Sequence, residues 1–258
     1  KELDLCKTLI DSGVGYIDVS MKGKDRQEWC AMTGYDGSEA QHQAIRNLAS
    51  LPIDFTCSMV ITPENVLSFC DSVQIAHDNG AKQFSFTFVI DNDDATEKGL
   101  DYLQKHDPIK LISDFMSQIE KLSTITDDWW IEYSFPLCIY TEEQLKLLEG
   151  RLATPCQIHL KNAVTFNTKM ELLPCDMYIN QQLGQFGRDF CSYQEFLSVT
   201  RGTDYSKTMG AIRKLPSDEC TKCKHLSVCY GGCPVLWKNY SFDALKEFKE
   251  KRIANSNT

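Results

Sequence analysis

The cysteine-rich segment CTKCKHLSVCYGGCP occupies residues 220–234 and is the most informative part of the sequence. It spaces four cysteines as Cys220-x2-Cys223-x5-Cys229-x3-Cys233. Two cysteines separated by two residues can aim both thiolates at one metal, because the intervening backbone turns tightly. Four of the chain's 12 cysteines fall within these 14 positions, so chance is a poor explanation. The run therefore predicts a metal or iron-sulfur site, in preference to unconnected buried thiols.

Composition and charge argue against several classes of protein. The other eight cysteines are dispersed, and a chain of 258 residues is too long to need disulfide staples. No apolar run approaches the roughly 18 residues that span a bilayer, and the opening Lys1-Glu2-Leu3-Asp4 does not resemble an export signal. The formal net charge of -9 offers no broad attraction for nucleic acid. We therefore expect a cytoplasmic protein with neither a nucleic-acid nor a membrane partner.

The first 150 residues alternate helical and extended patterns. Helical spacing of apolar residues and capping signals predict helices over residues 2–12, 38–48, 63–79 and 109–122. Runs of aromatic and β-branched residues predict strands over residues 16–20, 54–61, 83–90 and 129–135. Repeated helix-strand units are typical of an α/β fold with parallel strands and helical crossovers.

The pattern changes from about Thr154 onward. Residues 163–166 and 170–173 read as two short strands joined by the turn Asn167-Thr168-Lys169. Loop-rich sequence that contains the cysteine run follows this hairpin. We therefore expect two domains, an α/β domain over residues 1–150 and a metal-organised domain over residues 151–258.

The arrangement of cysteines resembles a known family. Cys156 precedes the hairpin, Cys175 follows it, and the run ends in Cys233-Pro234, as in the SPASM domain of radical S-adenosylmethionine enzymes. That group includes anaerobic sulfatase maturases and peptide maturases. The first half is similar to the later barrel strands and turns of the same superfamily, in the segments 13–23, 33–34, 61–65 and 79–81. The resemblance implies the later part of a partial (β/α)6 TIM-like barrel, followed by a small cysteine-rich α+β SPASM domain with a β-hairpin and a C-terminal helix.

One motif of that superfamily is absent from this sequence. Its members carry a Cys-x3-Cys-x2-Cys loop whose thiolates hold the [4Fe-4S] cluster that binds S-adenosylmethionine, and this spacing occurs nowhere in the chain. We therefore expect the sequence to be a piece of a longer polypeptide whose first barrel strands carry that loop. The chain as written is expected to be inactive alone.

The resemblance also implies two sets of cluster ligands. Cys156, Cys175 and Cys233 would hold one auxiliary [4Fe-4S] cluster, and Cys220, Cys223 and Cys229 another. Judged from the residues alone, the four cysteines of the run are ambiguous between zinc and iron-sulfur.

Three departures from the family pattern stand out. Asn162 lies near the place of a further family cysteine, no cysteine follows Cys233, and Met170 replaces a usual glycine. Each cluster would then have an open iron or a non-cysteine ligand, or the second cluster would not form stably. Cys191 is a spare candidate, and the alternative for it is an ordinary buried or surface thiol after Phe190.

Four further site residues follow from the same resemblance. Asp176, directly after Cys175, matches an aspartate that accepts a proton from the substrate; the alternative is a turn cap over residues 177–180. Ser20 matches a position that contacts S-adenosylmethionine, and Lys22 and Asn65 are weaker candidates for the same role. The alternative for Ser20 is a plain strand-terminal turn around Lys22-Gly23, and the alternative for Lys22 and Asn65 is that their polar groups satisfy local loops.

The implied function is the radical modification of a peptide. The intact enzyme would form a 5'-deoxyadenosyl radical from S-adenosylmethionine and abstract hydrogen from a side chain of a peptide or protein, with auxiliary clusters assisting oxidation. Its electron donor would be a protein such as flavodoxin or ferredoxin. The alternative is a non-catalytic iron-sulfur or zinc binding module that acts as an electron carrier or a peptide-binding scaffold.

Overall fold

A computed structural model describes residues 2–132, 135–153 and 156–256. The first half of the chain contains α1 (Leu3–Asp11), β1 (Tyr16–Met21), α2 (Arg26–Thr33), α3 (Ser38–Ala49), β2 (Asp54–Ile61), α4 (Phe69–Asp78), β3 (Gln83–Phe88), α5 (Gly99–His106), α6 (Pro108–Ser117), α7 (Ile119–Ile125), β4 (Trp129–Glu132) and α8 (Glu142–Leu147). The second half contains α9 (Gln157–Leu160), β5 (Thr165–Phe166), β6 (Glu171–Leu173), β7 (Gly184–Gln185), α10 (Tyr193–Thr200), α11 (Thr203–Ile212), α12 (Leu226–Cys229), α13 (Leu236–Asn239) and α14 (Phe242–Ser256). Short 3-10 turns cover Leu137–Ile139 and Asp218–Lys222.

These elements form two units, each built from separate stretches of sequence. Unit 1 comprises Lys1–Val89, Ile109–Glu132 and Tyr140–Ala153. Unit 2 comprises Ile90–Pro108, Tyr133–Ile139 and Thr154–Thr258. Within the described part of the chain, no helix has the length and apolar character needed to cross a membrane.

Unit 1 contains a four-stranded parallel sheet. Its strands follow chain order, β1-β2-β3-β4, and every neighbouring pair is parallel. Parallel neighbours require crossover connections, and helices supply them between successive strands. The prediction of an α/β architecture with parallel strands is therefore confirmed.

The core of unit 1 is rich in phenylalanine. Phe84, Phe86 and Phe88 alternate along β3, and all three are fully buried. Phe69 of α4 stacks on Phe115 of α6 with ring centroids 5.0 Å apart, and it meets Phe86 edge-on at 5.1 Å. Rings at these separations combine a large buried area with favourable quadrupole contacts, so they fix the helices on this sheet.

Two helices of unit 1 differ from their predictions. The helix expected to begin at Pro63 begins at Phe69, because the preceding backbone turns around Thr62 and Asn65. The helix expected over residues 109–122 is divided into α6 and α7 at Gln118. The strand expected to reach residue 135 pairs through Glu132, and its positions 133 and 134 lie outside the described residues.

Unit 2 contains a small antiparallel sheet in the order β5-β6-β7. Thr165 pairs with Leu173 and Phe166 with Leu172, so the two hairpin strands are shorter than predicted. The side-chain carbonyl of Asn167 accepts from the backbone N–H groups of Lys169 and Glu171, both at 3.0 Å, and closes the turn. The last residue of that turn, Met170, has a left-handed φ of 58°.

Candidate metal centre

The first group of cysteines lies in the core of unit 2. Cys175 is buried in an apolar cluster with Tyr178 and Val235, and Cys156 and Cys233 pack against the same cluster. Cys175 follows β6 after Pro174, Cys156 precedes α9, and Cys233 precedes α13. Three segments distant in sequence thus bring three thiols to one place.

Backbone amides surround two of these sulfurs. Burial raises the pKa of Cys175 to about 11, while hydrogen bonds from the amides of Met177 and Tyr178 act in the opposite direction. Burial likewise raises the pKa of Cys233 to about 12; the amides of Val235 and Leu236 oppose this rise and Cys156 and Cys175 add to it. Amide hydrogen bonds of this kind stabilise a thiolate and tune a metal bound to it.

The second group gathers the other three cysteines of the run. Cys220 lies in the 3-10 turn Asp218–Lys222, the amide of Cys223 donates to its carbonyl at 3.1 Å, and Cys229 ends α12. Burial raises the pKa of Cys220, and the neighbouring Cys229 and Cys223 raise it further. Cys220, Cys223 and Cys229 therefore lie near one another in unit 2.

A further cysteine, Cys138, lies beside the second group. The backbone N–H of its neighbour Leu137 donates to the sulfur of Cys229 at 3.4 Å. Burial raises the pKa of Cys138 to about 11, with Cys229 and Cys220 among the groups that add to the rise. The residue is nevertheless exposed. The spacing between Cys138 and the run carries no metal-binding signal, so the sequence alone does not indicate this position.

Tyr240 contributes a buried hydroxyl near both groups. The residue is 3% exposed, and within the described residues its hydroxyl has no hydrogen-bond partner. Burial raises its pKa well above the usual range, and Tyr102, Cys138 and Cys233 contribute to the rise. An unsatisfied buried hydroxyl is uncommon in folded proteins.

Zinc sites and iron-sulfur sites differ in the spacing of the thiolates that bind them. Across the described ranges, no three Cys, His, Asp or Glu side chains are arranged to hold a single metal ion. Sulfurs bound to one zinc lie about 3.8 Å apart, since each Zn–S bond is about 2.3 Å. The cysteines of each group influence one another electrostatically, and a four-iron cluster needs wider spacing of its thiolates than one ion does.

Asp176 lies next to the first group but faces solvent. The residue is exposed. The turn that follows it is held by the acidic loop after β3: Asp93 donates its N–H to the carbonyl of Met177 at 3.0 Å, and its carboxylate accepts from the N–H of Asn180 at 3.3 Å. This loop therefore fixes the backbone directly after Cys175.

The three candidate ligands of S-adenosylmethionine lie in unit 1, at or just beyond the carboxyl ends of β1 and β2. Lys22 donates its ammonium group to the hydroxyl of Ser20 at 2.7 Å, and Ser20 is exposed. Asn65 is 4% exposed, and its side chain accepts from the Thr62 amide and donates to the Val60 carbonyl, both at 2.8 Å. Asn65 thus holds its own loop, whereas Ser20 and Lys22 are accessible.

Cys191, the spare candidate for a cluster ligand, has ordinary local surroundings. Cys191 is exposed, and its backbone N–H donates to the Glu195 carboxylate at 2.6 Å at the start of α10. His225 is partly buried within the run, and among the described residues its Nε2 atom has no hydrogen-bond partner.

Comparison of the whole chain with solved structures identifies the fold. No protein-family model matches the sequence, and no curated protein matches it significantly. The structure of the anaerobic sulfatase-maturating enzyme anSMEcpe with bound AdoMet and a peptide is similar over 99% of this chain and 73% of that one, with a TM-score of 0.58 and 16% identity. Streptococcus suis SuiB bound to S-adenosylmethionine is similar over 89% of this chain and 53% of that one, with a TM-score of 0.53 and 14% identity. The chain therefore has the fold of the radical S-adenosylmethionine enzymes with a SPASM domain, as its cysteine spacing predicts.

Proposed function

We propose that this chain is part of a radical S-adenosylmethionine enzyme that modifies a peptide or protein side chain, and that unit 2 holds two auxiliary [4Fe-4S] clusters. Cys156, Cys175 and Cys233 bind one cluster, and Cys220, Cys223 and Cys229 bind the other. The observation that carries the proposal is the separation of these six cysteines into two groups.

Iron-sulfur clusters supply one-electron chemistry when they are bound to such thiolates. The chain's own residues set the conditions for that chemistry. The amides of residues 177, 178, 235 and 236 stabilise the thiolates of the first group, and the apolar cluster around Tyr178 keeps them from water. Because burial raises the pKa values of Cys175 and Cys233 to about 11 and 12, these thiols are protonated when free, and metal binding releases their protons.

The remaining site residues take roles by analogy with the family. Asp176 accepts a proton from the peptide substrate beside the first cluster. Ser20 and Lys22 contact S-adenosylmethionine, and Asn65 shapes the loop after β2 that faces it. A flavodoxin-like or ferredoxin-like protein supplies electrons, and a further [4Fe-4S] cluster belongs to the whole enzyme.

A second candidate is an iron-sulfur module that carries electrons or binds peptides without initiating radicals. The sequence favours this alternative in one respect, since Cys-x3-Cys-x2-Cys occurs nowhere in it. Sequencing of the gene upstream of Lys1 separates the two, because only an enzyme requires that motif.

The experiment that tests cluster binding is anaerobic reconstitution followed by analysis of iron, sulfide and zinc. We expect equal amounts of iron and sulfide, and about half of each after either Cys175→Ala or Cys220→Ala. Cys30→Ala, in α2 of unit 1, is the matched control and should keep the full content. One zinc per chain without sulfide would overturn the proposal.

A further inference from the structure

We infer that Cys138 is the fourth protein ligand of the second cluster, and that it replaces the cysteine that related sequences carry downstream of the run. The inference rests on the proposed function, since it concerns the cluster held by Cys220, Cys223 and Cys229. It assigns a ligand that lies outside the spacing of the cysteine run and before the whole SPASM-like region.

The position of the 3-10 turn Leu137–Ile139 supports this assignment. Its first N–H donates to the sulfur of Cys229 at 3.4 Å, so the turn lies directly against a member of the second group. Cys138 is the next residue of this turn and directly follows the residue that contacts Cys229. The turn therefore brings a fourth cysteine to the second group.

Two contacts hold the turn in this place. The Lys249 ammonium of α14 donates to the carbonyl of Cys138 at 2.8 Å. Pro136 lies so close to Gly232 that a Cβ atom at Gly232 would stand 3.1 Å from its Cβ and 3.2 Å from its backbone nitrogen. The turn is therefore fixed both to the C-terminal helix and to the Gly231-Gly232 turn between the two groups of cysteines.

An independent observation points to a bound group at this place. The buried hydroxyl of Tyr240 has Tyr102, Cys138 and Cys233 in its electrostatic surroundings. This hydroxyl has no acceptor among the described residues. A cluster sulfide or a metal-bound thiolate would supply one, because both accept hydrogen bonds from buried donors.

Protection from alkylation tests the assignment directly. The full chain is treated with N-ethylmaleimide before and after anaerobic loading with iron and sulfide, and each cysteine is quantified by mass spectrometry. We expect loading to reduce labelling of Cys138 at least tenfold, together with that of Cys220 and Cys229. Exposed Cys191 is the matched control and should be labelled equally in both states.

A pair of variants gives a second readout. Cys138→Ala should change the EPR spectrum of one cluster and lower the iron content by up to about half, while the spectrum of the other cluster is retained. Cys191→Ala should change neither quantity. Urea unfolding of the apo Cys138→Ala protein establishes that any loss of iron does not come from misfolding.

The outcomes separate the two proposals. Labelling of Cys138 that loading leaves unchanged, while Cys220 and Cys229 become protected, would overturn the assignment and leave the clusters in place. Failure of loading to protect any of the cysteines would overturn the proposed function itself, and this assignment with it.

Discussion

The backbone N–H of Leu137 donates to the sulfur of Cys229, and this hydrogen bond joins two segments 92 residues apart in sequence. It places a turn from the middle of the chain beside the last residue of α12. The neighbouring contact between Pro136 and Gly232 belongs to the same junction. The geometry of the second cysteine group therefore depends on a segment outside the cysteine run.

Gly232→Ala should disrupt this junction. Gly232 has a φ of +89°, and a Cβ atom there would approach the backbone nitrogen of Pro136 at 3.2 Å. We expect the free energy of unfolding to fall by about 2 kcal/mol, measured by urea unfolding of the apo protein. Gly210→Ala is the control: a Cβ at this position within α11 meets nothing within 4 Å, so stability should rise by about 0.5 to 1 kcal/mol. Equal effects of the two substitutions would contradict the steric argument.

Tyr240→Phe should have opposite effects in the two states of the protein. In the apo protein it removes a buried hydroxyl that lacks an acceptor in the described part of the chain, so the free energy of unfolding should stay equal or rise by about 1 kcal/mol. In the iron-loaded protein the same change removes a hydrogen bond, so the cluster should be lost faster to a chelator. Thermal unfolding and chelation kinetics measure the two effects. A loss of stability in the apo protein would show that the hydroxyl has a protein partner.

Met170→Gly should stabilise the hairpin of unit 2. The family resemblance implies glycine here, and Met170 adopts a φ of 58°, a left-handed conformation that strains residues with a Cβ atom. We expect a gain of about 1 kcal/mol in the free energy of unfolding. Met170→Ala retains the Cβ atom and serves as the control, since the side chain is largely exposed. A gain with alanine as large as that with glycine would rule out backbone strain as the cause.

Asn65→Ala should weaken unit 1 whether or not S-adenosylmethionine is present. It leaves the buried amide of Thr62 and the carbonyl of Val60 without their partners, at an expected cost of about 2 kcal/mol in stability. Asn65→Asp keeps the acceptor for Thr62 and should have a smaller effect near neutral pH. Unfolding curves measured without ligand provide the test, and unchanged stability in both variants would leave only a binding role.

Stability should fall at alkaline pH in part because of Cys57. Burial in the sheet, with a smaller contribution from Asp18, raises the pKa of this thiol to about 12 from an ordinary value of 9.0. Between these two values the unfolded chain loses the proton and the folded chain retains it, so the free energy of unfolding falls as pH rises from 9 toward 12. At pH 10.5 the deprotonation of Cys57 in the unfolded chain lowers the free energy of unfolding by about 2 kcal/mol. Cys57→Ala should flatten this part of the profile of unfolding free energy against pH, whereas Cys30→Ala should not.

The sequence predicted much of unit 1 because local signals and tertiary packing agree there. The strand predicted over residues 54–61 is β2 itself, and alternation of Phe84, Phe86 and Phe88 marked the buried face of β3. The helix predicted from Pro63 failed at its start because the Asn65 side chain bonds two backbone groups and stabilises a turn in place of a helix. Side-chain hydrogen bonds of this kind leave no periodic pattern.

Judged from spacing alone, the candidate metal ligands were predictable only where cysteines repeat at short intervals. This holds for Cys220, Cys223, Cys229 and Cys233, because a tight backbone turn limits how ligands of one site can be spaced. Cys138 and Tyr240 reach the same region by tertiary folding, and neither lies in a recognisable motif. The role of the acidic loop was also missed, because Asp93 binds the turn after Cys175 through Asn180, which lies 87 residues later in sequence.

The segmented make-up of unit 2 has a consequence for biosynthesis. Residues 90–108 leave the ribosome well before the partners they bind, since Asp93 must await Asn180, and Lys98 must await Asn239 across 141 residues. Domains generally complete folding only when their last long-range contacts become available. The cysteine-bearing unit should therefore acquire protease resistance only after translation passes residue 239.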